Sequence, residues 1–301
     1  MIGEELATPS TARSVEFARR TNRATVGERL GRFGVWLLLA AGCILFMLPM
    51  YLMMVMAFKS QSEIAVTDSW AWPQVWTLEN FREVLTNPNV SFLRFALNTV
   101  FIVAISTFGV LFSSALVAYP FARMQFLGKN RLFILLLATM MLPGIITMIP
   151  TYVMFSKIHW VNTYLPLTVP AFFGGGAFNI FLLRQFFMGI PRELDEAALI
   201  DGATHWTIFS RLIMPLSGPA LATVGIFTLV WGWRDFMGPL LYLNDPEMQT
   251  LEVGLATFQA MNNERWHLLM AGSLLVTIPL IVIFFVGQKF FVKGIQMSGI
   301  K

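Results

Sequence analysis

The chain has 301 residues, of which 56% are hydrophobic and 13% charged, with a formal net charge of +4 and a mean hydropathy of +0.66. So little polar surface cannot cover so much apolar area, which excludes an ordinary soluble domain. The basic excess is not a nucleic-acid footprint either, because its placement follows a membrane topology.

Residues 1–32 read as a polar N-terminal tail, expected to be mobile. Six apolar segments follow, at 34–58, 95–121, 132–156, 164–187, 217–243 and 267–291, each of 24 to 27 residues. Crossing a bilayer takes about 20 residues, and in lipid a helix satisfies its own backbone groups. The expected fold class is therefore all-α: a polytopic membrane protein with six transmembrane helices. The stretch LAAGC ending at Cys43 has the small residues of a lipoprotein cleavage site, but the apolar run continues to Met56 behind a long polar tail. An uncleaved first helix is expected. Cys43 is the one cysteine, so no internal disulfide is possible, and His159, His205 and His267 lack ligand spacing. No metal site is expected. Pro49, Pro120, Pro143, Pro150, Pro166, Pro170, Pro239 and Pro279 fall in or beside the apolar runs. Two readings stay open for them: tolerated prolines in membrane helices, or kinks around a pathway.

Orientation follows from Lys and Arg. With the N-terminus inside, the inner segments hold fifteen of the 21 basic residues; the outer ones hold Lys59, Arg82, Arg94, Lys157, Arg234 and Arg265 with nine acids. Both termini are expected to be cytoplasmic, and so is the 189–216 loop. The outer loops are then 59–94 and 244–266. The first contains WAWPQVWTLENF at 70–81, residues suited to a membrane interface or to an extracellular partner. Apart from His267, Arg184, Arg234, Asp235 and Lys289 near segment ends, the spans carry no charged residue or histidine. An ion-coupled carrier places charges within the bilayer. There is no G-x-x-x-x-G-K-[ST] pattern for ATP, so energy for uphill movement has to come from a partner.

The inner loop is long and mixed in character. ELDEAALI at 193–200 favours helix, with its acids placed early to suit the helix dipole. Asp201-Gly202 interrupts, and glycine suits the left-handed end of a helix. Thr204 is placed to cap a second helix running to about Met214, in which Trp206, Phe209 and Ile213 form one apolar face. Pro215 is expected to stop or redirect it. Ala197 and Ala198 give the first helix a low profile, with the Glu196 carboxylate beside them. Two readings fit: a helix docking in a groove of another protein, or one lying flat on the inner leaflet.

Glu196-Ala197-Ala198, Asp201-Gly202-Ala203 and Ile213-Met214-Pro215 resemble the EAA loop of binding-protein-dependent ABC importer permeases. The E-A-A-x-x-D-G-A portion matches; the tail departs, with I-M-P where I-x-L-P is the pattern. FNIFLLRQFFMGIPRELDEAALIDGA (178–203), TLVWGWRDFMGPL (228–240) and the ending FFVKGIQMSGIK look like carbohydrate-type permeases of the maltose-transporter class, over about residues 33–301. Trp233-Arg234-Asp235-Phe236 stands where many relatives have W-N-D-F, so no role for that Asn carries over.

The resemblance implies a transmembrane domain at 33–301, with the EAA loop at about 190–215 as a cytoplasmic coupling helix, in a bacterial or archaeal inner membrane. A second permease would pair with this one, commonly as a heterodimer. Two ATPase subunits would sit below, and an extracytoplasmic solute-binding protein would deliver a sugar or oligosaccharide. The chain itself would bind no cofactor and catalyse nothing; ATP and Mg would belong to the partner ATPase. Glu196, Ala197, Ala198, Asp201, Gly202, Ala203 and Pro215 would form the coupling element, with Glu196 ion-pairing and Gly202 supplying the bend. Sugar sites use aromatic faces and amides, which makes Asn98, Asn179, Trp231 and Trp233 candidates for the pathway, with Gly174-Gly175-Gly176 allowing close backbone approach. Ordinary helix packing accounts for these residues as well. The same architecture with a glycerol phosphoester, polyol or amino acid as substrate is the second reading, and an ion-coupled carrier the third.

Overall fold

The computed structural model describes residues 26–88, 90–262 and 265–298; most of the expected tail, 1–25, lies outside them. Among the described residues fourteen α-helical stretches follow one another, with tight 3-10 turns also at Val169–Phe172 and Pro246–Met248, and no strand occurs. The first is α1 (Val26–Ala57), so residues 26–32, expected in the tail, are helical. Then come two short helices, α2 (Gln61–Val66) and α3 (Glu79–Leu85), and the long α4 (Phe92–Arg123). Next are α5 (Lys129–Ala138) with a tight turn over Thr139–Met141, α6 (Gly144–Lys157), α7 (Leu165–Thr168) and α8 (Ala177–Gly189). The chain continues through α9 (Glu193–Ile200), α10 (His205–Leu216), α11 (Gly218–Trp233), α12 (Met237–Tyr242), α13 (Leu251–Met261) and α14 (Trp266–Ser298).

Four helical spans are long and apolar enough to cross a membrane, and six when each of two bent pairs counts as one span. The third expected segment is bent by 96° between α5 with its turn and α6. Leu142 precedes Pro143 and is extended there (φ −80°, ψ 116°), because a proline crowds a helical conformation in the residue before it. Pro49, Pro120, Pro150 and Pro279 sit inside helices. The fifth segment, expected to run to 243, ends at Trp233; there the Asp235 carboxylate accepts the Gly238 N–H at 3.1 Å at the start of a separate helix, α12.

The described residues fall into two compact units that divide between Met53 and Met54. In the first, α1 exposes apolar side chains such as Phe33, Trp36 and Leu38, as a helix in lipid requires. In the second, α4 is the central helix. Ala115, Ala118 and Ala122 present small side chains along it and let Ile180, Leu183 and Phe187 of α8 approach closely; Ile208, Phe209 and Ile213 of α10 complete this core with Ala220 and Val224 of α11. Phe187 is fully buried. Its truncation to Ala costs about 3–5 kcal/mol, of which a cavity of roughly 100 Å³ accounts for roughly 2 kcal/mol at about 24 cal/mol per Å³. Thermal melting of the detergent-solubilised Phe187→Ala protein is expected to show a lower midpoint.

The loops divide into two groups at opposite ends of this unit. At one end Arg265 pairs with Glu83 (2.6 Å) and Arg94 with Glu247 (2.8 Å), while Asn162 accepts the N–H groups of Asn244 and Asp245 at 3.1 and 2.9 Å. At the other, Arg123 reaches Ile190 and Asp195, and Tyr119 meets His205.

Candidate functional site

The stretch from Pro191 to Ser217 is built from its local sequence. Glu193, Asp195 and Glu196 occupy the first turn of α9, where carboxylates complement unpaired N–H groups. The helix ends at Gly202, whose φ of +81° lies in the left-handed region. The Gly202 N–H donates to the Leu199 carbonyl (3.0 Å) and the Ala203 N–H to that of Ala198 (2.9 Å), a bonding pattern that only a residue at ease with positive φ terminates cheaply. Thr204 then caps α10, its hydroxyl accepting the Thr207 N–H at 3.3 Å.

α10 ends at Leu216, one residue past Pro215, and the chain bends there by 76° into α11, so the proline redirects it as expected. Phe209–Ile213 forms a wide turn with bonds spaced five residues apart, and this loosened ladder absorbs the missing N–H of the proline. The apolar face is buried only in part. Phe209 and Ile213 are buried with Ile208, whereas Trp206 is 60% exposed, its ring 5.5 Å from that of Phe209. Because that face packs on α4 and α8, it is not available to lie on a bilayer.

The docking candidates fall on two sides of α9. Glu196 and Ala197 are exposed, and so are Asp201 and Gly202; Ala198 and Ala203 pack inward against the core, and Pro215 is exposed on α10. Leu199 and Ile200 are exposed too, Ile200 at 86%. They lie three and four residues from Glu196, hence on its side of the helix. Sequence reasoning passed over both as helix formers; the signal was an apolar pair on an otherwise acidic, short helix. The result is an outward face with a carboxylate, a methyl-sized step and an unpartnered Ile, rooted from behind by Ala198.

The four pathway candidates are not brought together. Asn98 donates both amide hydrogens, to the carbonyls of Glu247 and Gln249, each at 2.9 Å. Asn179 donates to the Gly175 carbonyl at 2.7 Å within its own helix start. Trp233 is buried, and its indole N–H donates to the Val276 carbonyl at 3.1 Å. Trp231 is 78% exposed and lines a cavity of about 970 Å³ with Phe227, Val230, Gly232, Arg234 and Met237. Beside it, burial pushes the Glu252 carboxyl up from its ordinary range, and the Arg234 guanidinium pulls it back. The glycine run does not leave space for a ligand at its centre. A Cβ on Gly175 would lie 2.7 Å from the Val110 carbonyl oxygen of α4, so the room is taken by helix packing.

Comparison with known proteins places this geometry. YurM of Bacillus subtilis, a probable ABC transporter permease protein, is 32% identical over 272 residues, 90% of this chain and 89% of its own. AraQ of Halalkalibacterium halodurans, an arabinooligosaccharides transport system permease protein, is 36% identical over 76% of this chain and 81% of its own. In three dimensions, the chain superposes on a subunit of a bacterial ABC transporter involved in import of the acidic polysaccharide alginate. The TM-score is 0.79 over 89% of this chain and 99% of that one, at 21% identity, which establishes the shared fold. Residues 110–297, which include the whole of α9, α10 and the core that roots them, match the family described as the inner membrane component of binding-protein-dependent transport systems. With that match over more than half its length, the chain belongs to this family of multi-pass ABC importer permeases.

Proposed function

We propose that the chain is one permease of an ATP-driven importer for a sugar or oligosaccharide. An external solute-binding protein delivers the solute, a second permease completes the pathway, and two ATPase subunits dock beneath α9. Both termini and the 190–215 loop lie in the cytoplasm, in keeping with the placement of basic residues. ATP and Mg bind to the ATPase partners, and this chain is non-catalytic. The observation that carries the reading is the outward face of α9. Glu196, Ala197, Leu199 and Ile200 stand exposed on a helix whose back is fixed to the core, the form of an anchor for a groove in another protein. The sugar assignment rests on the likeness to permeases such as AraQ.

The test is uptake by proteoliposomes containing the chain, its partner permease, the ATPase and the binding protein. Labelled maltose, melibiose and arabinobiose serve as probes. ATP-dependent uptake of at least one is expected, and the purified chain alone is expected to hydrolyse no ATP. A binding protein that takes only a glycerol phosphoester, polyol or amino acid would overturn the sugar assignment and leave the permease reading standing. Uptake by the chain alone under an ion gradient would overturn both.

A further inference from the structure

Behind α9 lies a polar cluster that neither docking nor solute passage uses. Arg123, in the last turn of α4, is buried, its side chain 2% exposed. One Nη donates to the Ile190 carbonyl at 2.8 Å, just before α9, and its Nε lies 3.4 Å from a carboxylate oxygen of Asp195 within α9. The Asp195 side chain is 15% exposed. Neither Arg123 Nε nor the second Asp195 oxygen has a hydrogen-bond partner among the described residues. The pair is therefore held by charge more than by directed bonds, and it sits where water does not screen it. Nearby, Tyr119 and His205 meet at 3.3 Å across α4 and α10. Arg184 of α8 donates to the Phe121 carbonyl at 3.1 Å and stacks its guanidinium 4.1 Å above the Phe133 ring. The end of α4 is thus tied to α8, α9 and α10 at once.

Far along the same helix, Arg94 and Asn98 hold the 244–251 segment through Glu247 and Gln249. One rigid element therefore touches the docking helix at one end and the outer loop at the other. Of the residues on α9, Asp195 alone makes a charged contact to it.

Building on the docking reading above, we infer that Arg123 is a positioning residue that transmits displacement of α9 to α4 through its ion pair with Asp195. A partner pulling on the outward face of α9 moves the Asp195 carboxylate. Following that carboxylate, the guanidinium keeps the buried charges paired, since an unpaired one in this place is strongly disfavoured. Movement of α9 without α4 breaks the pair; movement with α4 preserves it. The missing directed bonds allow the pair to adjust its angle during the motion without giving up its charge contact.

The experiment compares Arg123→Gln, Asp195→Asn and the double variant in the complete proteoliposome complex. Two quantities are read: ATPase subunits co-purified with the chain, and labelled maltose, melibiose or arabinobiose taken up per ATP hydrolysed. Each single variant is expected to retain the ATPase subunits and to lose about tenfold in uptake per ATP, within the usual span of coupling effects. The double variant is expected to do no worse than either single one, as for two groups acting as a unit. Arg123→Lys, which keeps the charge and loses the planar fork, is expected to restore part of the ratio. A purely structural role would lower uptake and hydrolysis together and leave their ratio unchanged; that result, or losses that multiply in the double variant, overturns the inference. Should Arg123→Gln not accumulate, the isosteric Asp195→Asn decides by the same ratio. Loss of co-purification in these variants counts against transmission, whereas failure of Glu196→Lys to affect co-purification counts against docking.

Discussion

Replacing Glu196 by Lys is expected to abolish retention of the ATPase subunits and, with it, ATP-driven uptake, while the chain still inserts in normal amount. The two halves of that expectation have separate physical grounds. Glu196 is exposed in the first turn of α9, so a Lys there creates no cavity and strands no buried group. Its cost to the fold is the reversed interaction with the helix dipole, about 0.3–1 kcal/mol. At an interface the same change is far more costly, because a carboxylate matched to a basic group becomes a like charge. Disrupting one member of a buried, hydrogen-bonded pair across an interface costs about 2–5 kcal/mol, which at about 1.4 kcal/mol per tenfold lowers affinity by roughly 30- to 4,000-fold. Co-purification from membranes reads the first quantity and fluorescence-detected size exclusion of the chain reads the second. Unchanged co-purification with unchanged uptake would remove Glu196 from the docking face.

Gly175→Val is expected to prevent the chain from accumulating in folded form. Gly175 has φ +58°, a conformation in which a β-branched residue is strongly disfavoured. Strain of that kind costs about 1–3 kcal/mol by itself. The added side chain also meets the Val110 carbonyl oxygen at 2.7 Å and Ser114 Cβ at 2.9 Å. Backbone cannot swing aside as a flexible side chain does, and the Ser113 hydroxyl nearby fastens α4 to the Ala171 carbonyl at 2.8 Å. Gly189→Ala, at the end of the same span, is the control: a Cβ there has nothing within 4 Å, and near-normal yield is expected. Equal yields of the two variants would show that the α4 contact at Gly175 tolerates a shift.

The long apolar runs made the spans legible, because lipid leaves a backbone few options. The same prolines that marked those runs did not announce what each would do. Pro120 and Pro150 ride inside helices, whereas Pro143 stands at a 96° break; neighbouring contacts decide, and one residue's identity does not. At the loop, the Thr204 cap and the Gly202 turn could be read locally because both are set by residues a few positions apart. The exposure of Trp206 could not, since periodicity gives the side it shares with Phe209 and Ile213 but not how far α4 and α8 cover that side. Asn98, Asn179 and Trp233 were chosen for side-chain chemistry suited to a sugar, and the structure gives their polar groups to backbone carbonyls. Arg123 drew notice only as an inside charge. Its partners Ile190 and Asp195 come from a later span and loop, and periodicity carries no information about contacts at that range.

The clamp of Asn98 on the carbonyls of Glu247 and Gln249 also sets a timetable for biogenesis. Its two halves are about 150 positions apart, and at about 5–20 residues per second a ribosome takes roughly 8–30 s to deliver the second after the first. Throughout that interval the Phe92 end of α4 has no 244–251 segment to fasten it. A chain arrested before residue 244 therefore lacks the strap, and quality-control proteases meet an incompletely tied end whichever helices have been inserted by then.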